Sequence, residues 1–158
     1  MNIDLDGFDR VRNGAAEPGE DRARSREEDI KLLRRFMDDK AENAGIYGHL
    51  ARRTTSPASR RIFRSLRGDE LRHLKMLRSA YYLLTGDSFR PSGQKPVRGG
   101  ALTLIRSMYN RETKGAEAFR RAGQETKIPN LARIFKSISE DDGRHAVILE
   151  RMIRRLMD

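Results

Sequence analysis

Residues 67–77 read RGDELRHLKML, and residues 139–149 read SEDDGRHAVIL. Each stretch sets an acid three residues ahead of a histidine: Glu70 and His73 in the first, Asp142 and His145 in the second. On a helix, residues three apart lie on one face, so each pair presents a carboxylate and an imidazole side by side. The chain has three histidines, and two of them are used this way.

The two stretches belong to a longer repeat. Residues 30–84, slid by 72 positions, fall on 102–156 without a gap, and 14 of the 55 pairs are identical. The identities include Pro57/Pro129, Ile62-Phe63/Ile134-Phe135, Asp69/Asp141, Arg72/Arg144 and His73/His145. A gapless register that carries helix starts and histidines together marks one supersecondary unit used twice.

Each unit reads as a helical hairpin. Ser25 and Glu28 form a capping-box pattern before apolar periodicity begins, which predicts a helix over 26–53. Ser56 is the next N-cap, with Pro57 at the first helical position, and this helix stops before Gly86. GDSFRPSGQKPVRGG, residues 86–100, holds four glycines and two prolines and reads as a connection. A third helix is predicted over 101–123, and a fourth from Pro129 to the end. Short loops make neighbours antiparallel, and the 15-residue crossover lets the hairpins pack as an all-α four-helix bundle over 26–158. Residues 1–25 are polar and aperiodic and read as a flexible tail.

The apolar stripes locate a site. Steps of three and four trace Leu33, Met37, Lys40, Ala44, Tyr47 and Ala51 on the first helix. The second gives Phe63, Leu66, Glu70, His73, Leu77 and Leu84. The third gives Ile105, Tyr109, Glu112, Ala116 and Phe119, and the fourth Phe135, Ile138, Asp142, His145, Leu149 and Met152. Every stripe is apolar except near its middle. There Lys40, Glu70, His73, Glu112, Asp142 and His145 point inward. Buried ionisable groups cost several kcal/mol unless they are paired or bind a metal. Carboxylate and imidazole donors suit iron or manganese, and zinc as well. One Glu from each of two helices and an acid-x-x-His from each of the others is the ligand plan of di-iron carboxylate bundles.

At these residues the chain resembles the rubrerythrin-type members of the ferritin-like superfamily. The resemblance covers about residues 28–157, through AENAGIYGHLA, FRSLRGDELRHLKML, YYLLTG and FKSISEDDGRHAVIL. It implies a ferritin-like bundle that binds two metals and reacts with dioxygen or peroxide. By position it carries metal-ligand roles onto Glu70, His73, Glu112 and His145, and onto Asp142, one methylene shorter than the family's residue. Lys40 stands where the family has a glutamate on its first helix.

Lys40 changes the charge balance. Three carboxylates and one ammonium total −2, which one divalent ion neutralises and two would overshoot in a low-dielectric core. The expectation is at most one tightly bound ion, on Glu112, Asp142, His145 and Glu70, with the ammonium in the place of the other. Asp39 and Glu42 lie about 100° and 200° around the helix from Lys40 and replace it only if the register shifts. A metal-free ion network of the same six groups is the alternative. Tyr47, Tyr81 and Tyr109 are candidates to lie near the centre, and His49, off the stripe, reads as a surface residue.

Composition bounds the rest. There is no cysteine, which excludes disulfides, thiolate metal sites and a rubredoxin-type iron centre on these residues. A redox role would therefore need a separate electron donor. No apolar run approaches the roughly 18 residues of a membrane span, and the first residues lack a basic-then-apolar signal pattern. The expectation is a cytoplasmic protein with no membrane partner and a homodimeric state. Net charge is +10, which raises the case for an anionic partner or nucleic acid. The basic residues are spread along all the helices, however, and no aromatic-plus-basic stretch marks a stacking platform. Two functions compete: an oxidoreductase acting on peroxide or dioxygen at a carboxylate/histidine centre, and a metal-free binding or structural module that uses the basic surface.

Overall fold

The structure is a computed structural model that describes residues 24–93 and 95–158. Four helices account for most of it: α1 (Arg26–Arg53), α2 (Pro57–Thr85), α3 (Ala101–Glu125) and α4 (Pro129–Met157). Among the described residues there is no strand, only one isolated bridge between Arg24 and Thr126. The expected tail falls outside the described residues up to position 23. Arg24 and Ser25 join the bundle: the Arg24 N–H donates to the Glu125 carbonyl at 2.9 Å, and Ser25 caps α1.

Local signals set several helix ends. Ser25 and Glu28 close a reciprocal capping box, satisfying two backbone donors that would otherwise be orphaned. The Ser56 side chain accepts from the Ser59 N–H, and Pro57 follows at a position where no N–H is needed. Helix α2 ends at Gly86, whose φ of 76° is a left-handed conformation that glycine adopts without steric cost. Helix α3 runs to Glu125, two residues beyond its predicted end.

Packing is strongest within each hairpin, α1 on α2 and α3 on α4, as the short loops dictate. The core is not continuous. One apolar cluster gathers Leu33, Phe36, Met37, Leu77, Phe119 and Phe135 with their neighbours. The other gathers Ile46, Leu50, Phe63, Leu66, Ile105, Met108 and Leu149. The first takes the start of α1, the end of α2, the end of α3 and the start of α4; the second takes the opposite ends. So α1 and α4 run one way and α2 and α3 the other, and the crossover must travel the length of the bundle. Helices of 28 and 29 residues span about 42 Å, and 15 extended residues reach about 50 Å. Fifteen residues are thus long enough to make that journey. Phe89 packs beside Tyr81, the Ser92 N–H donates to Asp38 at 2.7 Å, and Val97 reaches the second cluster. Between the two apolar clusters lies one polar layer.

Candidate metal centre

The layer is built from four helix midpoints. Lys40 comes from α1, Glu70 and His73 from α2, Glu112 from α3, and Asp142 and His145 from α4; all six are buried. The stripe reading thus placed every charged residue correctly. It was less accurate on the flanks: Tyr109, Ala116 and Met152 are half-buried, and Met108 is fully buried instead. His49 is half-buried as well.

The ammonium of Lys40 donates to Glu70 Oε1 at 3.0 Å and to Asp142 Oδ1 at 2.6 Å. It also lies 5.3 Å from the centre of the Phe119 ring, a favourable place for a cation. Burial opposes the charge on Lys40, but the carboxylates of Glu70, Asp142 and Glu112 outweigh it and push its pKa up. Lys40 is therefore a fixed cation. The helix register is not shifted: Glu42 pairs with Arg111 at 2.9 Å, and Asp39 is exposed.

Each carboxylate has its own environment. Burial would raise Glu70, yet the Lys40 charge and the neighbouring His73 hold it down at about 2, helped by Asn43 Nδ2, which donates at 3.0 Å. Asp142 goes the other way. Burial, with the nearby charges of Glu112 and Glu70, lifts it to about 7 against the pull of Lys40. Glu112 Oε1 accepts from the Tyr47 hydroxyl. Burial and that carboxylate push the Tyr47 phenol far up, so it stays protonated.

The histidines are held from outside, crosswise between α2 and α4. His73 Nε2 meets Asp141 Oδ2 at 2.7 Å, and His145 Nε2 meets Asp69 Oδ2 at 3.0 Å. An ionised carboxylate only accepts, so each Nε2 carries a proton and each Nδ1 faces the layer. The rings lie 6.0 Å apart, stacked at 26°. His145 Nδ1 is 3.5 Å from Glu112 Oε2, and His73 Nδ1 is 3.3 Å from Glu70 Oε1. Burial opposes charge on His145, but Glu112, Asp69 and Glu70 outweigh it and lift its pKa to about 9.

Four inner atoms have no hydrogen-bond partner: His73 Nδ1, His145 Nδ1, Glu112 Oε2 and Asp142 Oδ2. Orphaned buried polar atoms are costly and call for a reason, an ion among them. Glu70, Glu112, Asp142 and His145 each offer a ligand atom within 4.8 Å of all the others. Three oxygens and one imidazole nitrogen fit a single iron, manganese or zinc ion. His73 lies outside that group, beside Glu70 and Asp141.

Sequence reasoning overlooked Asp69, Asp141 and Asn43. The aspartates had a signal, since they are one of the identical repeat pairs. Asn43, which also accepts from Arg111 Nε at 2.7 Å, had none. Of the tyrosines, Tyr47 reaches the layer, whereas Tyr81 accepts from Arg34 away from it.

A chain from Anabaena variabilis, a two-domain protein containing DJ-1/ThiJ/PfpI-like and ferritin-like domains, superposes on this structure. The TM-score is 0.68 over 95% of this chain, at 16% identity. The fold is ferritin-like. This chain spans about half the length of that protein (48%), so the likeness concerns the bundle alone. A curated relative from Bacillus subtilis (strain 168), the uncharacterized protein YhjR, is 23% identical over 118 residues, covering 75% of this chain and 81% of its own. No family model matches the chain. Among the described residues, no helix is long and apolar enough to cross a membrane.

Proposed function

We propose that the polar layer is a rubrerythrin-like oxidoreductase centre reduced to one ion, acting on peroxide or dioxygen. Glu70, Glu112, Asp142 and His145 hold the ion, iron or manganese by donor type, and the Lys40 ammonium takes the place of a second. The observation that carries this reading is the buried group of four donors from three helices, Glu70, Glu112, Asp142 and His145, three of which keep an atom without a hydrogen bond. When bound, the ion would pass electrons to peroxide or dioxygen and act as a Lewis acid on its oxygen. The chain's own residues do the rest. Asp69 and Asp141 fix the imidazole orientation from behind. Tyr47 holds Glu112 with its hydroxyl, and Lys40 neutralises the carboxylate excess. These residues hold no cysteine and so no rubredoxin-type iron; in this reading a separate donor supplies electrons, and the proposed assembly is a homodimer.

Elemental analysis of protein purified without chelator tests the reading, beside a Lys40→Glu variant. One equivalent of metal in the parent and two in the variant is the expected result. Peroxide turnover should then disappear in Glu112→Gln and His145→Gln. An absence of metal after reconstitution with iron, manganese and zinc overturns the reading.

One observation favours a second reading. Lys40 already hydrogen-bonds two of the carboxylates, and a protonated His145 brings a second positive charge, so the layer comes close to neutrality without metal. The protein would then be a binding module, its basic surface holding an anionic partner. Its signature is association that weakens with salt and ignores substitutions in the layer.

A further inference from the structure

The two halves of the repeat treat their carboxylates differently. Asn43 on α1 and Gly115 on α3 are 72 residues apart and therefore repeat-equivalent. Asn43 donates to Glu70 Oε2. Gly115 has nothing to offer the matching oxygen, Asp142 Oδ2, which is buried without a partner. A Cβ at position 115 would come within 2.8 Å of that oxygen, so a side chain there would press on the carboxylate. Glycine in a helix interior is unfavourable relative to alanine; here its missing Cβ lets the Asp142 carboxylate lie against α3. A cleft of about 270 Å³ between α1 and α3 leads to that carboxylate. Its walls include Phe36 and Phe119, exposed Lys114 and Ala118 stand on its outer side, and Lys40 and Asp142 lie at its floor.

The geometry points to this cleft as the route by which a peroxide, a hydroxylic molecule of two heavy atoms, reaches the layer. Gly115 sets the size limit, and Asp142 Oδ2 accepts the hydroxyl hydrogen. A side chain at position 115 would close on that oxygen, so glycine leaves Asp142 Oδ2 reachable from the cleft. The identity of the guest rests on the oxidoreductase reading above; the route does not.

The route is tested on the metal-free chain with dissolved dioxygen under pressure. Dioxygen has the same two heavy atoms, and its paramagnetism speeds relaxation of the nuclei it approaches. Proton relaxation at Gly115 and the Phe119 ring should be enhanced severalfold over Ala80, which is fully buried and does not line the cleft. The excess should vanish in Gly115→Val and in Ala118→Phe. Ala118 is exposed, so the second variant plugs the cleft without pressing on Asp142 and keeps the test valid should the first fail to fold. Gly68→Ala, where an added Cβ meets nothing within 4 Å, should keep the excess. An enhancement no greater than at Ala80, or one that survives Ala118→Phe, overturns the route. Because no metal takes part, a chain that never binds an ion would overturn the proposed function and leave this result to stand or fall separately.

Discussion

Tyr47 and Phe119 occupy equivalent places in the two halves of the repeat, and each faces the residue of the buried layer at which the halves differ in charge. Tyr47 donates its hydroxyl to Glu112, while Phe119 turns its ring face to Lys40. The pairs are matched: a phenol serves a carboxylate, and a bare ring face serves an ammonium. Lys40 is therefore not an isolated replacement in an otherwise symmetric site. It comes with a partner suited to it.

That match predicts a coupling. Lys40→Glu alone would set a buried carboxylate against a phenyl ring that can donate nothing. Lys40→Glu with Phe119→Tyr would restore a donor. In a double-mutant cycle followed by urea unfolding, the pair should recover about 1 kcal/mol or more over the sum of the single changes. Strict additivity would show that the two positions are independent.

Removing the cation without replacing it should be severe. Lys40→Met leaves Glu70 and Asp142 without their shared ammonium in the core. Breaking a buried pair from one side costs about 3–5 kcal/mol, and the chain should unfold at correspondingly lower urea. A divalent ion supplies the missing charge, so added manganese or zinc should raise the midpoint of the variant more than that of the parent. Equal shifts in the two proteins would count against charge replacement.

The outer aspartates should prove unequal. Asp69 orients His145, which belongs to the four-donor cluster, whereas Asp141 orients His73, which does not. Loss of a partner behind a ligating imidazole weakens metal binding about 10- to 100-fold. Asp69→Asn should show that loss by calorimetry with zinc or manganese, and Asp141→Asn should show little. Equal losses would indicate that His73 ligates too.

The pH dependence follows from His145. Folding lifts its pKa from 6.5 to about 9, so the metal-free folded chain keeps a proton that the unfolded chain has lost. This contribution to stability is complete below pH 6.5 and disappears as pH rises through 9. Asp142, lifted from 3.8 to about 7, acts in the same sense over a lower window. The urea midpoint of the metal-free protein should thus fall between pH 7 and 9, and His145→Gln should flatten that fall. Metal affinity should move the other way. The ion must displace the His145 proton, so apparent affinity rises about tenfold per pH unit up to about 9. A flat profile in either experiment would contradict the site as drawn.

Much of this was legible in the residues. The repeat, the caps at Ser25 and Ser56 and the stripe periodicity specify four helices, and six charged residues on apolar stripes must meet in one layer. What escaped was one position off the stripe. Asp69 and Asp141 each precede a stripe residue and reach the histidines from the rim of the layer, and Asn43 enters beside Lys40. Periodicity registers which face a residue occupies, and these residues sit at the edge of a face. Helix α3 was misread between Ile105 and Glu112, where a step of three places Met108 inside and a step of four places Tyr109 there. Both are apolar enough for either role, so only packing against α4 decides.

The polar layer between two apolar clusters also fixes alignment along the bundle. Sliding one hairpin against the other by a single turn, about 5.4 Å, would carry ionised side chains into the oily layers above and below. Each misplaced charge would cost several kcal/mol. Apolar contacts alone tolerate such slips, because one leucine substitutes readily for another. The two hairpins of this chain can therefore dock in one axial position only, and the charges that crowd its centre act as the notch that selects it.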